Sequence, residues 1–108
     1  MAKKKIINKA IQYIKILNNE GILIEKAYLY GSAAKEDETY ESDIDLMLVS
    51  SQFDQNNDLL FGKIWSLTKK VDSRIEPYII GQKKFENDEI SPIIQKVKDQ
   101  GIELKFSW

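Results

Sequence analysis

Cysteine and histidine are both missing from the 108-residue chain. Without cysteine there are no disulfides and no thiolate metal sites. Without histidine there is no Ser-His-Asp triad, no His-ligated zinc and no imidazole base. Any acid–base or metal chemistry therefore falls to carboxylates, Lys, Tyr or water. Arg74 is the single arginine and the net charge is -1. Such a balance gives no basic stripe for a nucleic-acid backbone, so direct nucleic-acid binding is not expected. The cluster Lys3-Lys4-Lys5 is read as a solvated helix start, because mixed charges follow it. No apolar run is long enough to cross a membrane and the first residues are too polar for a signal peptide, which points to the cytoplasm. What the chain does have is 43% apolar and 31% charged residues. That composition and length suit one folded domain over residues 1–108.

Apolar residues Ile6, Ile7, Ala10, Ile11, Ile14 and Leu17 recur at spacings of three and four and predict a helix over roughly Lys3 to Asn19. Asn18-Asn19-Glu20-Gly21 is its stop. Leu23 to Tyr30 reads as a strand, ended by Gly31-Ser32. Ala33 to Glu38 has room for a helical turn, and Thr39 to Ser42 is a loop. Asp43 to Val49 is a second strand. Asn56, Asn57 or Asp58 is available to cap a helix over Leu59 to Lys70, whose buried side uses Leu60, Ile64, Leu67 and Trp65. Arg74 to Ile80 is a third strand, which Pro77 confines to an edge or an early ending. Ser91-Pro92 starts a last helix with Ser as N-cap, a stripe of Ile93, Ile94 and Val97, and Gly101 as C-cap. Ile102 to Trp108 has room for a short strand. The order α-β-β-α-β-α describes a small α/β domain with helices covering a short mixed sheet.

Two carboxylates, Asp43 and Asp45, open the second strand. Residues two apart on a strand share a face, and two ionised carboxylates within about 5–6 Å raise each other's pKa unless something neutralises them. A divalent cation is the simplest neutraliser, and Mg²⁺ takes one or two carboxylates and completes its shell with water and substrate phosphate. The Gly31-Ser32 turn ends the preceding strand. Glycine and a small hydroxyl residue there allow backbone N–H groups to approach a phosphate. Taken together, the turn and the Asp-x-Asp pair provide a phosphate site and a metal site at one end of the sheet. A third carboxylate would complete the site or serve as base. Glu76, inside an apolar strand, is favoured over Asp72, whose position at a helix-to-strand connection suits a turn role.

The motif Gly-Ser, ten residues, Asp-x-Asp, with "LYGS" at Leu29 to Ser32 and "SDIDL" at Ser42 to Leu46, resembles the minimal nucleotidyltransferase branch of the DNA polymerase beta-like nucleotidyltransferase superfamily. The resemblance covers nearly the whole chain. It implies Mg²⁺-dependent transfer of a nucleoside monophosphate, usually AMP from ATP, onto a hydroxyl. By the same resemblance Asp43, Asp45 and Glu76 are the catalytic and metal-binding acids, and Gly31, Ser32, Lys35 and Ser42 hold the nucleotide. It also implies an all-helical HEPN-type partner, whose toxin activity such a protein silences as antitoxin. Homo- and hetero-oligomers are both open. Relatives commonly read Gly-Ser-Arg-Ala-Arg-Gly, whereas this chain has Ala33 for the first Arg, Lys35 for the second and Glu36 for the Gly. A lysine binds phosphate as a point charge and lacks the arginine fork. The alternative reading is a catalytically weak or inactive binding module that grips a helical partner.

Overall fold

The computed structural model of the chain describes residues 2–34, 43–88 and 90–106. The first helix, α1 (Ala2–Asn19), buries Ile6, Ala10, Tyr13, Ile14 and Leu17. Tyr13 is an addition to the expected stripe; its hydroxyl reaches the core and donates to the Ile64 carbonyl at 2.5 Å. Gly21 ends α1 in the left-handed region, φ +84. There Ile22 N–H donates to Leu17 O at 2.9 Å and Gly21 N–H to Asn18 O at 3.0 Å. These are the two bonds of a Schellman motif, so the expected stop is met.

Four strands form the sheet: β1 (Lys26–Leu29), β2 (Ile44–Ser50), β3 (Ile75–Gly81) and the two-residue β4 (Ile102–Glu103). Their order is β3-β2-β1-β4. The strand β1 runs antiparallel to β2 and β4, while β2 and β3 are parallel. β1 is shorter than the expected Leu23 to Tyr30, because Leu23 faces solvent and gives its N–H to the Gln52 side chain instead of a strand. Pro77 does lie on an edge strand, where its missing donor costs no ladder bond that a second neighbour would need.

The β2–β3 connection carries α2 (Asp58–Ser66), continued by a 3-10 turn, Leu67–Lys70. Asn57 caps it by accepting from Leu60 N–H at 3.1 Å. Trp65 is 48% exposed and does not join the buried side as expected. Next come α3 (Gln82–Asn87), which the periodicity did not reveal, and α4 (Pro92–Gln100). Ser91 precedes α4, but its side chain makes no capping bond. The Asp88 carboxylate takes the Ile90 and Ser91 N–H groups instead, at 2.9 and 2.7 Å.

The alternation of β2 divides the core. Ile44, Leu46 and Leu48 pack with α1 and Ile64 of α2, while Met47 and Val49 pack with Phe85 of α3 and with Ile94 and Val97 of α4. Asp45 belongs by alternation to the second face, beyond the reach of that smaller cluster. Among the described residues no helix is long and apolar enough to cross a membrane.

Candidate active site

Asp43 precedes β2 and Asp45 is its second residue. The two point to the same side, as the period of two requires. Parallel pairing with β3 sets Asp45 directly against Glu76. Parallel strands in register place paired side chains on the same face, about 4.8 Å apart. Three carboxylates thus gather at one corner of the sheet.

The fourth wall is the turn after β1. Tyr30 N–H donates to Asp45 O at 3.1 Å, which carries the β1–β2 pairing one residue past the strand. Gly31 then turns with φ +63 and starts a 3-10 turn, Gly31–Ala34. Two constraints require glycine here. The left-handed conformation disfavours a side chain, and a Cβ would stand 2.5 Å from Asp45 Oδ2. The Gly-Ser turn and the Asp-x-Asp pair are therefore in contact. Tyr30 and Tyr78 flank them, and neither had been assigned a role; the signal was their alternation with Tyr28 and Glu76 on this face.

Electrostatics of the corner follow from crowding. Burial pushes the half-buried Asp45 carboxyl up, and the charge of Asp43 pushes it further. Glu76 is raised first by a hydrogen bond to Asp43, then by burial and by the charges of Asp43 and Asp45. The Tyr30 phenol is pushed up to about 12, by burial first and then by Asp45, Tyr78 and Glu76. Among the described residues no Lys or Arg pairs with Asp45 or Glu76. Asp72 has the opposite surroundings. Arg74 at 3.0 Å and Lys9 at 2.6 Å bind its carboxylate, and Arg74 N–H donates to it. Those bonds, Arg74 first, hold its pKa far below the usual range. Of the two candidate third acids, Glu76 lies beside Asp45 and Asp72 is engaged by Arg74 and Lys9.

The acids present suit a divalent cation. Carboxylate oxygens are hard donors, the kind such an ion takes, and two of the three acids are driven toward protonation. Among the described residues no group of three or more acidic side chains is arranged to hold a metal ion. An ion bound by a carboxylate pair, with water and substrate phosphate as remaining ligands, asks for no such group. Lys35, Ser42, Glu36 and the expected Thr39 to Ser42 loop lie outside the described residues, so the geometry of the nucleotide-binding set extends only to the backbone of Gly31 and Ser32.

The profile of the family described as "Polymerase beta, Nucleotidyltransferase" matches residues 8–105. Among solved structures, a candidate nucleotidyltransferase from Sulfolobus solfataricus has a similar fold, with a TM-score of 0.61 at 14% identity, covering 94% of this chain and 81% of that one. No curated protein matches the chain significantly. The profile spans most of the chain, from within α1 to just past β4, and on that ground the chain belongs to the polymerase beta family of nucleotidyltransferases.

Proposed function

We propose that the protein is a Mg²⁺-dependent enzyme that transfers a nucleoside monophosphate, AMP from ATP in the first instance, to a hydroxyl of a partner protein or small substrate. The observation that carries this reading is the gathering of Asp43, Asp45 and Glu76 at one sheet corner against the Gly31 turn. Asp43 and Asp45 would hold the metal, with Glu76 beside them, and the ion's charge would supply electrostatic stabilisation to the phosphates. Gly31 keeps side-chain bulk away from the place where the triphosphate must approach. Glu76, exposed and already inclined to bind a proton, is placed to accept the proton of the incoming hydroxyl. The acceptor oxygen bonds to the α-phosphorus, the bond from that phosphorus to the bridging oxygen breaks, and pyrophosphate departs with the electron pair.

The Gly31 to Asp45 motif supports the minimal branch of the family. A HEPN-type helical partner, an antitoxin role, nucleotide contacts from Ser32, Lys35 and Ser42, and a cytoplasmic site of action belong to that proposal. A second reading, a binding module with a weak or inactive centre, is favoured by Ala33, Lys35 and Glu36 where relatives carry Arg, Arg and Gly.

Labelled ATP, Mg²⁺ and the product of the adjacent gene separate the two. Label should pass to the neighbour with the wild-type chain and not with an Asp43→Ala, Asp45→Ala double variant. Tight binding of the neighbour without transfer, unchanged in the double variant, would establish the binding module instead.

A further inference from the structure

Gly31 has a second neighbour besides Asp45. With Tyr30 and Ala34 it lines a cavity of about 200 Å³, to which Lys96 and Gln100 of α4 and Gly101 also contribute. Gly31 therefore borders both this cavity and the Asp45 carboxylate, and a single turn lies between them. Among the described residues Lys96 is the one charged residue that lines the cavity. Its helix is held firmly, since Ile94 and Val97 are fully buried and Gly101 N–H closes on Val97 O at 2.8 Å. Its side chain is exposed and, among the described residues, makes no ion pair. The lysine two positions on is engaged differently: Lys98 Nζ sits 5.0 Å from the centre of the Phe85 ring.

We propose that Lys96 is a phosphate-binding residue and that this cavity receives the β- and γ-phosphates of the nucleoside triphosphate, the part that leaves as pyrophosphate. The inference rests on the nucleotidyltransferase reading and adds a residue to it. With the α-phosphorus at the carboxylates, a chain of phosphates that passes Gly31 reaches the cavity that Gly31 lines. When the bond to the α-phosphorus breaks, the bridging oxygen and its electron pair go to the pyrophosphate. A cation beside that group stabilises the charge it gains. Ala33 offers no charge, and Lys96 in the lining of the cavity supplies one.

Calorimetric titrations of ATP, inorganic tripolyphosphate and AMP, each with Mg²⁺, test the assignment on the wild type, Lys96→Ala, Lys96→Arg and the charge-matched control Lys69→Ala. A charge-assisted hydrogen bond on an exposed side chain implies about a tenfold loss of ATP and tripolyphosphate affinity in Lys96→Ala. AMP affinity should be unchanged, Lys96→Arg should recover most of the loss, and Lys69→Ala should match the wild type. Unaltered ATP affinity in Lys96→Ala would overturn the role of Lys96 and leave the enzyme reading intact. So would a loss shared equally by AMP or left unrecovered by Lys96→Arg. A wild type that binds neither ATP nor tripolyphosphate would overturn both.

Discussion

Neutralising Asp45 should make the metal-free protein more stable, which is unusual for a half-buried residue in a core strand. Asp45 stands beside Glu76 in the parallel register and on the face of Asp43. At a separation of about 5 Å, a pair of unit charges repels by about 0.8 kcal/mol at the dielectric of water and about twice that at half the dielectric. Glu76 and Asp43 are exposed, so the lower figure is the ceiling for each, and solvent screening of such mobile side chains brings the summed relief on removing the Asp45 charge to about 1 kcal/mol. Asparagine keeps the shape of the side chain against Gly31. For a domain of this size about 1 kcal/mol moves Tm by about 4–8 °C. In EDTA at low ionic strength, Asp45→Asn should therefore melt about 5 °C above the wild type by scanning calorimetry. The gap should close in 1 M salt, where the screening length falls to about 3 Å. Mg²⁺ at ten times its dissociation constant should stabilise the wild type by about 1.4 kcal/mol and leave the variant unmoved. A variant that melts lower in EDTA at low salt, or that keeps its Mg²⁺ shift, would refute the claim that these acids wait for a cation.

Asp72→Asn should move stability the other way, by about 2 kcal/mol, since it breaks charge-assisted bonds to Arg74 and Lys9. The folded pKa of Asp72 is depressed, so its contribution is complete above about pH 5 and fades as pH falls below the unfolded value of about 3.9; thermal melts of both proteins should converge in acid. Gly31→Ala should lower stability by about 1–2 kcal/mol for the left-handed backbone alone. It should also reduce label transfer more than tenfold, because the new methyl displaces the Asp45 carboxylate; retained activity in a folded variant would remove Gly31 from the site. Tyr13→Phe should cost about 1 kcal/mol in urea unfolding through the lost bond to Ile64, with ATP affinity unchanged by calorimetry.

The parts of this molecule that were legible in the sequence are those written in local periodicity. Spacings of three and four marked α1 and α4, and alternation put Asp43 and Asp45 on one face. Six residues, Gln82–Asn87, with Phe85 as the one buried anchor, leave no periodic trace, so α3 was missed. Partnerships between distant segments were the harder matter. Arg74 lies two residues from Asp72, but Lys9 lies 63 away, and only the folded chain shows that Asp72 is consumed by an ion-pair network. Glu76 was singled out as an acid in an apolar strand, yet its place beside Asp45 depends on the β2–β3 register. A slip of one residue would turn it to the opposite face. The same dependence hides Lys96. In the sequence it is one lysine among many on an amphipathic helix; in the fold, β4 pairs with β1 and brings the end of α4 over the Gly31 turn. A site whose carboxylates come from adjacent strands can be read from spacing, but a cation delivered by a helix 65 positions from Gly31 is set by sheet closure. Loss of phosphate affinity on shortening the α4–β4 connection, without any change at Asp43 or Asp45, is what that dependence requires.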